Sequence, residues 1–351
     1  MNNKILFFVN LILIIPLSSL ESGKIVFFET NPHEVEAFNA YFEGEGQNGE
    51  FTSTNLIFTS EKLNDSNVSR YKSAEIISIS FSQVPSTIID QLPNLKLIAA
   101  RSTGYDHIDH AHASSKKVSV ANVPNYASQS VAEFTFGLIL NLSHKICEHN
   151  RTLTEKLDFN SSFLPGFDLK GKTLGVIGTG NIGKSVIRIA QGFQMNILAC
   201  SDHPDNDFAA INNVAYVPLK KLLQESDIVT LHTALNEDTH HIIDEETLKL
   251  VKKDALLINT ARGELVATKP LIKALKNGAL AGAGLDVLEC EHALSAGELA
   301  SLNHELIGLP QVIVTPHIAY NSVDASKLVR SITAQNIINF IRNKPTNIVR
   351  Q

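Results

Sequence analysis

The sequence predicts an α/β protein of two doubly wound parallel-sheet domains, and three observations predict it. The chain has 351 residues, enough for two cores, because domains usually run to roughly 100 to 200 residues. Short apolar, β-type runs alternate with helix-compatible segments twice along it, the pattern of a parallel sheet covered by helices. The second of these series opens on a glycine turn between an apolar run and an amphipathic segment.

Composition limits the classes of function. Hydrophobic residues at 44% and charged residues at 19% are ordinary globular usage, which excludes fibrous and disordered classes. A formal net charge of -6 without a basic block gives no footprint for nucleic acid. Cys147, Cys200 and Cys290 match neither disulfide nor metal spacing and are expected as small packing residues. Lys4, the apolar run Ile5 to Ile15, Pro16 and the small residues to Gly23 have the layout of a secretory signal. The run is shorter than the roughly 20 residues a bilayer span needs. Two origins stay open, a true signal or upstream sequence translated from a misassigned start, and residues 1–23 are set outside the fold in either case.

The first series begins at Lys24 with KIVFFE, followed by helical spacing over His33 to Glu43. Further buried-strand candidates are Leu56 to Thr59, Glu75 to Ser80 and Leu95 to Ala100. Ser128 to about Glu148 reads as one helix, apolar nearly all round, and so buried against a neighbouring domain or a second subunit. The second series runs strand Thr173 to Ile177, helix Ile182 to Gln194, strand Asn196 to Cys200, helix Leu219 to Glu225, then strands Ile228 to Leu231, Ala255 to Asn259 and Gly282 to Val287. Strand Val312 to Val314 precedes His317, and a helix over Ser322 to Arg342 closes the chain.

Gly178-Thr-Gly180-Asn181-Ile182-Gly183 spells GxGxxG directly after an apolar strand and at the start of a helix. Gly178 permits the tight turn, Gly180 lets backbone approach a pyrophosphate, and Gly183 lets helix and strand pack closely. The helix start then supplies free N–H groups and positive potential for the phosphates. An acid that binds the adenosine ribose is expected about 20 residues on. Counting places Ser201 there, with Asp202 one residue later. Asp202 turned inward selects NAD, whereas Ser201 at that position leaves NADP open; no arginine follows to neutralise a 2′-phosphate, which favours NAD.

Arg262, Glu291 and His317 each fall just after a strand of the second series, where open α/β sheets bind ligands. Together with the Ser102-Thr-Gly-Tyr-Asp-His-Ile-Asp109 loop, Asn122-Val-Pro-Asn-Tyr-Ala127, NTARGELV at 259–266, GLDVLECE at 284–291 and TPHIAY at 315–320, they carry a resemblance. The chain resembles the D-isomer-specific 2-hydroxyacid dehydrogenase family, most strongly over Leu95 to His317 and more weakly over Lys24 to Gln351.

That resemblance implies two Rossmann-like domains with an active-site cleft between them. Residues 24–123 and 320–351 would form the substrate-binding domain, and 124–319 the NAD-binding domain. His317 would be the acid toward the carbonyl oxygen in reduction and the base in oxidation. Glu291 would hydrogen-bond His317 and favour its imidazolium, and Arg262 would bind the substrate carboxylate with its planar fork. Backbone N–H groups of Thr103, Gly104 and Tyr105 would hold the same carboxylate. Coenzyme contacts would include Asn181, Ile182, Thr233, Ala234, Thr260, Ala261 and Asp286, with Ala234 standing where many relatives carry proline.

Glu291 argues against the formate dehydrogenase branch, which pairs its histidine with glutamine. Tyr126 and Tyr320 resemble the residues that narrow the pocket of D-lactate dehydrogenases around a methyl group, so pyruvate leads as substrate, with hydroxypyruvate and glyoxylate as alternatives. A cofactor-sensing corepressor on the same fold is the non-enzymatic alternative. No metal is expected, because the run Asp106 to His112 fits a solvated helix start and the redox step needs none. The family implies a homodimer. A dissociable nicotinamide coenzyme implies the cytoplasm, with export as the alternative if residues 1–23 are a signal.

Overall fold

The structure is a computed structural model that describes residues 25–45, 55–157, 159, 165–289, 291 and 304–349. The leader and Cys290 lie outside the described residues. The first elements are β1 (Ile25–Phe27), α1 (Pro32–Glu45), β2 (Leu56–Phe58), β3 (Ile76–Ile79), α2 (Ser86–Asp90), β4 (Leu97–Ala100), α3 (His110–Ser115) and β5 (Ser119–Ala121). There follow α4 (Ser128–His144), α5 (Ile146–Lys156), β6 (Thr173–Ile177), α6 (Asn181–Gly192), β7 (Asn196–Cys200), α7 (Asn206–Asn212), β8 (Val214–Tyr216), α8 (Leu219–Glu225) and β9 (Ile228–Leu231). The last are α9 (Glu245–Leu248), β10 (Leu256–Asn259), α10 (Thr268–Lys276), β11 (Gly282–Leu285), α11 (His304–Ile307), β12 (Val312–Val314) and α12 (Val323–Ile341).

The chain divides into two compact units, one of Met1–Pro124 with Lys327–Gln351 and the other of Asn125–Ser326. The first holds a five-stranded sheet in the order β2-β1-β3-β4-β5, parallel throughout. β1, β3 and β4 are buried along their whole length, which is why they read as continuous apolar runs rather than alternating ones. One face packs Phe27, Phe38 and Phe42 with Ile337 and Ile338 of α12, so the chain's last helix covers its first strand. The second unit holds a seven-stranded parallel sheet, β12-β11-β10-β9-β6-β7-β8, with its order reversing between β9 and β6.

Four features differ from the sequence reading. The helix expected to Glu148 breaks at Lys145, which takes a left-handed conformation (φ 55°) between α4 and α5. α4 is apolar because it lies on α6, β10 and β11 of its own unit, burying Val131, Ala132, Phe136, Leu138 and Ile139. β5 and β8, three residues each, add an outer strand to each sheet. Cys147 is exposed, its thiol bonded to Asn141 Oδ1, rather than packed. Among the described residues no helix is long and apolar enough to cross a membrane.

Candidate active site

The second unit collects its chemical groups at the carboxyl ends of its strands. β6 ends at Ile177, and Gly178 turns the chain with φ 91°, a conformation that favours glycine. A Cβ there would also lie 2.6 Å from the His232 carbonyl carbon, so β6 and the residue after β9 approach backbone to backbone. At Gly183 a Cβ would stand 2.1 Å from the Gly178 carbonyl oxygen, which is the close helix–strand packing expected there. Gly180 is different, since a Cβ would meet nothing within 4 Å. As N-cap of α6 it provides no side-chain cap, so the helix starts with uncapped N–H groups beside open space. That cradle fits a dinucleotide pyrophosphate, which supplies acceptors for those donors.

Around this turn, Asn181 is bonded through its side-chain amide to Asn125 Oδ1, and Ile182 packs against the cluster of Ala127, Val131, Ala319 and Ala325. Ser201 is the first residue beyond β7 and accepts the His203 N–H, while Asp202 is exposed. Thr233 and Ala234 follow β9, where the Ala234 carbonyl accepts the Thr239 hydroxyl at 2.7 Å. Thr260 and Ala261 follow β10; the Thr260 hydroxyl meets that of Thr135 on α4 at 3.0 Å.

Arg262 stands three residues after β10 ends. Asn259, buried at the strand end, builds the turn by donating to the Arg262 carbonyl (2.7 Å) and accepting the Ala261 N–H (3.0 Å). Sequence reasoning did not single out Asn259, although an asparagine closing an apolar strand is the type of residue that bonds a following turn. The arginine is half-buried, and its Nη1 donates to the Ala261 carbonyl.

His317 lies just past β12 with φ 53°, left-handed backbone in a non-glycine residue. Asp286, just past β11, holds it there. Its carboxylate accepts the Thr315 hydroxyl (2.5 Å) and the N–H groups of Ile318 (3.0 Å) and Ala319 (2.8 Å), and its carbonyl accepts the His317 N–H (2.8 Å). Burial pushes the Asp286 carboxyl above its ordinary range, against the pull of those bonds. Beside the coenzyme contact expected of it, Asp286 shapes the histidine loop through its carboxylate.

His317 Nδ1 donates to Glu291 Oε1 at 2.5 Å, and Glu291 Oε2 accepts the Leu288 N–H. The other ring nitrogen, Nε2, has no hydrogen-bond partner among the described residues, and the side chain keeps 31% exposure. Tyr320 lies 6.4 Å from the His317 ring and 6.4 Å from the Tyr126 ring. Burial pushes the Tyr126 hydroxyl well above the usual phenol range, helped by Tyr320 and opposed by Arg262, so it stays a neutral donor. The structure thus brings Arg262, Glu291, His317, Tyr126 and Tyr320 together on one unit.

Thr103, Gly104 and Tyr105 belong to the other unit, in the loop after β4. The Ser102 hydroxyl donates to the Gly104 carbonyl (2.7 Å), the Thr103 hydroxyl to the Val123 carbonyl (2.8 Å), and Asn122 to the Thr103 carbonyl (2.7 Å). The N–H groups of the three residues donate to nothing among the described residues. In the histidine-rich run that follows, Asp109 caps α3 through the His112 N–H and His112 pairs with Asp90, so these side chains serve a helix start.

Residues 136–319 match the family model for D-isomer specific 2-hydroxyacid dehydrogenase, NAD binding domain. A glyoxylate reductase of Korarchaeum cryptofilum is 37% identical over 79% of this chain and 82% of its own length. A glycerate dehydrogenase of Methylorubrum extorquens is 35% identical over 93% and 98%. A D-lactate dehydrogenase of Aquifex aeolicus, solved with NAD and lactic acid, superposes with a TM-score of 0.82 at 31% identity over 91% of this chain and 96% of that one. With this ancestry, two parallel-sheet units and a glycine cradle that fits the coenzyme, the chain belongs to the D-isomer specific 2-hydroxyacid dehydrogenase family and is an NAD-dependent enzyme of small 2-oxo and 2-hydroxy acids.

Proposed function

We propose that this enzyme reduces pyruvate to D-lactate and catalyses the reverse, with Arg262, Glu291 and His317 as its working groups. The observation that carries the proposal is the Glu291–His317 bond through Nδ1, which leaves Nε2 as the nitrogen without a partner among the described residues. NADH, when bound, supplies the hydride for the carbonyl carbon. His317 donates its Nε2 proton to the carbonyl oxygen as negative charge develops there, and takes a proton back in oxidation. Glu291 fixes the ring and balances the imidazolium charge. Arg262 grips the carboxylate with two parallel N–H bonds and polarises the adjacent carbonyl. The N–H groups of Thr103, Gly104 and Tyr105, which donate to nothing among the described residues, are proposed as further carboxylate donors.

Tyr126 and Tyr320, aromatic neighbours beside the histidine, support a small substrate side chain. A second reading, glyoxylate or hydroxypyruvate as the preferred acid, draws on the names of the glyoxylate reductase and glycerate dehydrogenase relatives. A homodimer in the cytoplasm completes the proposal. The test follows NADH and NADPH oxidation by absorbance with pyruvate, hydroxypyruvate, glyoxylate and longer 2-oxo acids. Highest kcat/KM for pyruvate with NADH supports the first reading. A higher value for either two-carbon or hydroxylated acid moves the assignment to the second, and tight NADH binding without turnover of any acid overturns both.

A further inference from the structure

A second histidine–glutamate pair stands behind the first. Arg262 is followed by Gly263, where a Cβ would lie 2.0 Å from the Leu288 carbonyl carbon and 2.4 Å from the Glu289 nitrogen. The segment with Arg262 and the segment with Glu291 therefore touch backbone to backbone. Glu289 fastens that contact. Its Oε1 is bonded to His241 Nε2 at 2.7 Å, and its Oε2 accepts the N–H of Thr268, the first residue of α10, at 3.2 Å. Burial pushes the Glu289 carboxyl up, but the bonds from Thr268 and His241 hold it below its ordinary range.

His241 is in turn built into the arginine side. Its N–H donates to the Glu264 carbonyl at 2.9 Å, and two residues later Ile243 bridges Val266. Glu291 sits only two residues beyond Glu289, with its N–H on the Leu288 carbonyl, its Oε2 on the Leu288 N–H and its Oε1 on His317. Glu289 is thus anchored by its side chain, and Glu291 orients the imidazole.

We propose that Glu289 and His241 are a positioning pair that sets the place of Glu291 and, through it, of His317. The proposal rests on the acid–base assignment above. It makes a specific demand: loosening the pair frees the Glu289 side chain that anchors the proton donor's segment, whereas Arg262 keeps its separate hold through the Asn259 bond to its carbonyl, so the loss falls mainly on the proton donor.

Glu289→Ala, Glu289→Gln, His241→Gln and His317→Ala are compared with the parent enzyme for kcat and KM with pyruvate, or with whichever panel acid is turned over fastest, for NADH Kd by fluorescence, and for Tm. Glu289→Ala is expected to lower kcat about 10-fold, the scale of a sub-ångström misplacement, while KM and NADH Kd stay within about twofold. Glu289→Gln is expected to recover kcat to within about threefold, because its amide can still bond both Thr268 and His241. Should Glu289→Ala fail to fold, His241→Gln decides, with a kcat loss of about threefold at unchanged KM and Kd as the supporting result. Parent-like kcat in the folded alanine variant, equal losses in Glu289→Ala and Glu289→Gln, or losses shared by KM and Kd would each overturn the pair's role. Parent-like kcat in His317→Ala would instead overturn the acid–base assignment beneath it.

Discussion

In the five-stranded sheet the strand order reverses between β1 and β3, and the chain fills the gap itself; in the seven-stranded sheet it reverses between β6 and β9, and the gap is left to glycine. Open α/β sheets bind ligands at such reversals. After β1, Glu29 adopts φ 56° and turns its carboxylate onto the N–H groups of Ser80 (2.6 Å) and Phe81 (3.0 Å) and the Ser82 hydroxyl (3.0 Å), the residues that follow β3. Beside it, buried Arg101 after β4 spends Nη2 on the Phe28 carbonyl (2.6 Å) and Nη1 on Ser78 (3.2 Å). An internal anion thus holds the place an external one would take. Among the described residues, the amides of Thr103 to Tyr105, in the loop after β4, donate to nothing. Among the described residues the second has no such plug after β6, and its strand ends carry Arg262, Asp286 and His317. Two sheets of one winding pattern become different tools through what stands at the reversal.

The largest expected effect tests whether the chemistry belongs to the second sheet. His317→Ala should cost about 10² to 10⁴ in kcat, the usual worth of a positioned acid or base. A variant that keeps near-parent kcat would remove the acid–base role from that strand end. Arg262→Lys comes next, with an expected loss of about 100-fold in kcat/KM, because an ammonium cannot reproduce a bidentate fork. Unchanged kcat/KM would place the carboxylate grip elsewhere.

Glu29→Ala probes the plug of the first sheet. It strips the N–H groups of Ser80 and Phe81 of their acceptor and should cost about 2 kcal/mol by urea unfolding, the scale of hydrogen bonds to a charged group, with kcat within about twofold. Stability equal to the parent's would show that water serves those donors as well as the carboxylate, and the contrast between the reversals would lose its basis.

Much of this was legible in the chain because the signals were local. β6, β7, β9 and the glycine turn read directly, since buried parallel strands are unbroken apolar runs and the turn's backbone needs missing side chains. Arg262, Glu291 and His317 read as candidates because each follows a strand. What escaped depends on partners distant in sequence. Nothing around Lys145 signals a helix break, because the residue that turns left-handed is neither glycine nor asparagine. β5 (Ser-Val-Ala) and β8 (Val-Ala-Tyr) lack the run of large apolar residues by which the equally short β1, β2 and β12 are read. Glu29 as a plug, Asp286 as the brace of the histidine loop and Glu289 as an anchor are defined by bonds to residues 51–53, 29–33 and 21–48 positions away.

The smallest expected effect bears on how dry the second reversal is. His232 follows β9 against the Gly178 turn, with Nε2 bonded to Thr230 Oγ1 at 2.9 Å and Nδ1 buried without a partner among the described residues. Burial holds its imidazole down to about 3 from an ordinary 6.5. A histidine depressed on folding binds its proton more readily in the unfolded chain, so its contribution is intact above pH 6.5 and is lost as pH falls from 6.5 toward 3. Between pH 7 and 5.5 that amounts to about 1 kcal/mol. The carboxylates held below their ordinary range titrate under this window and are shared with a His232→Gln variant, so the difference between two urea-unfolding series isolates the imidazole. A parent that loses about 1 kcal/mol more than the variant over that interval keeps the second reversal dry and uncharged beneath the coenzyme turn. Parallel pH curves would mean that water reaches Nδ1, and that the open gap at β6 and β9 extends below the glycines rather than above them.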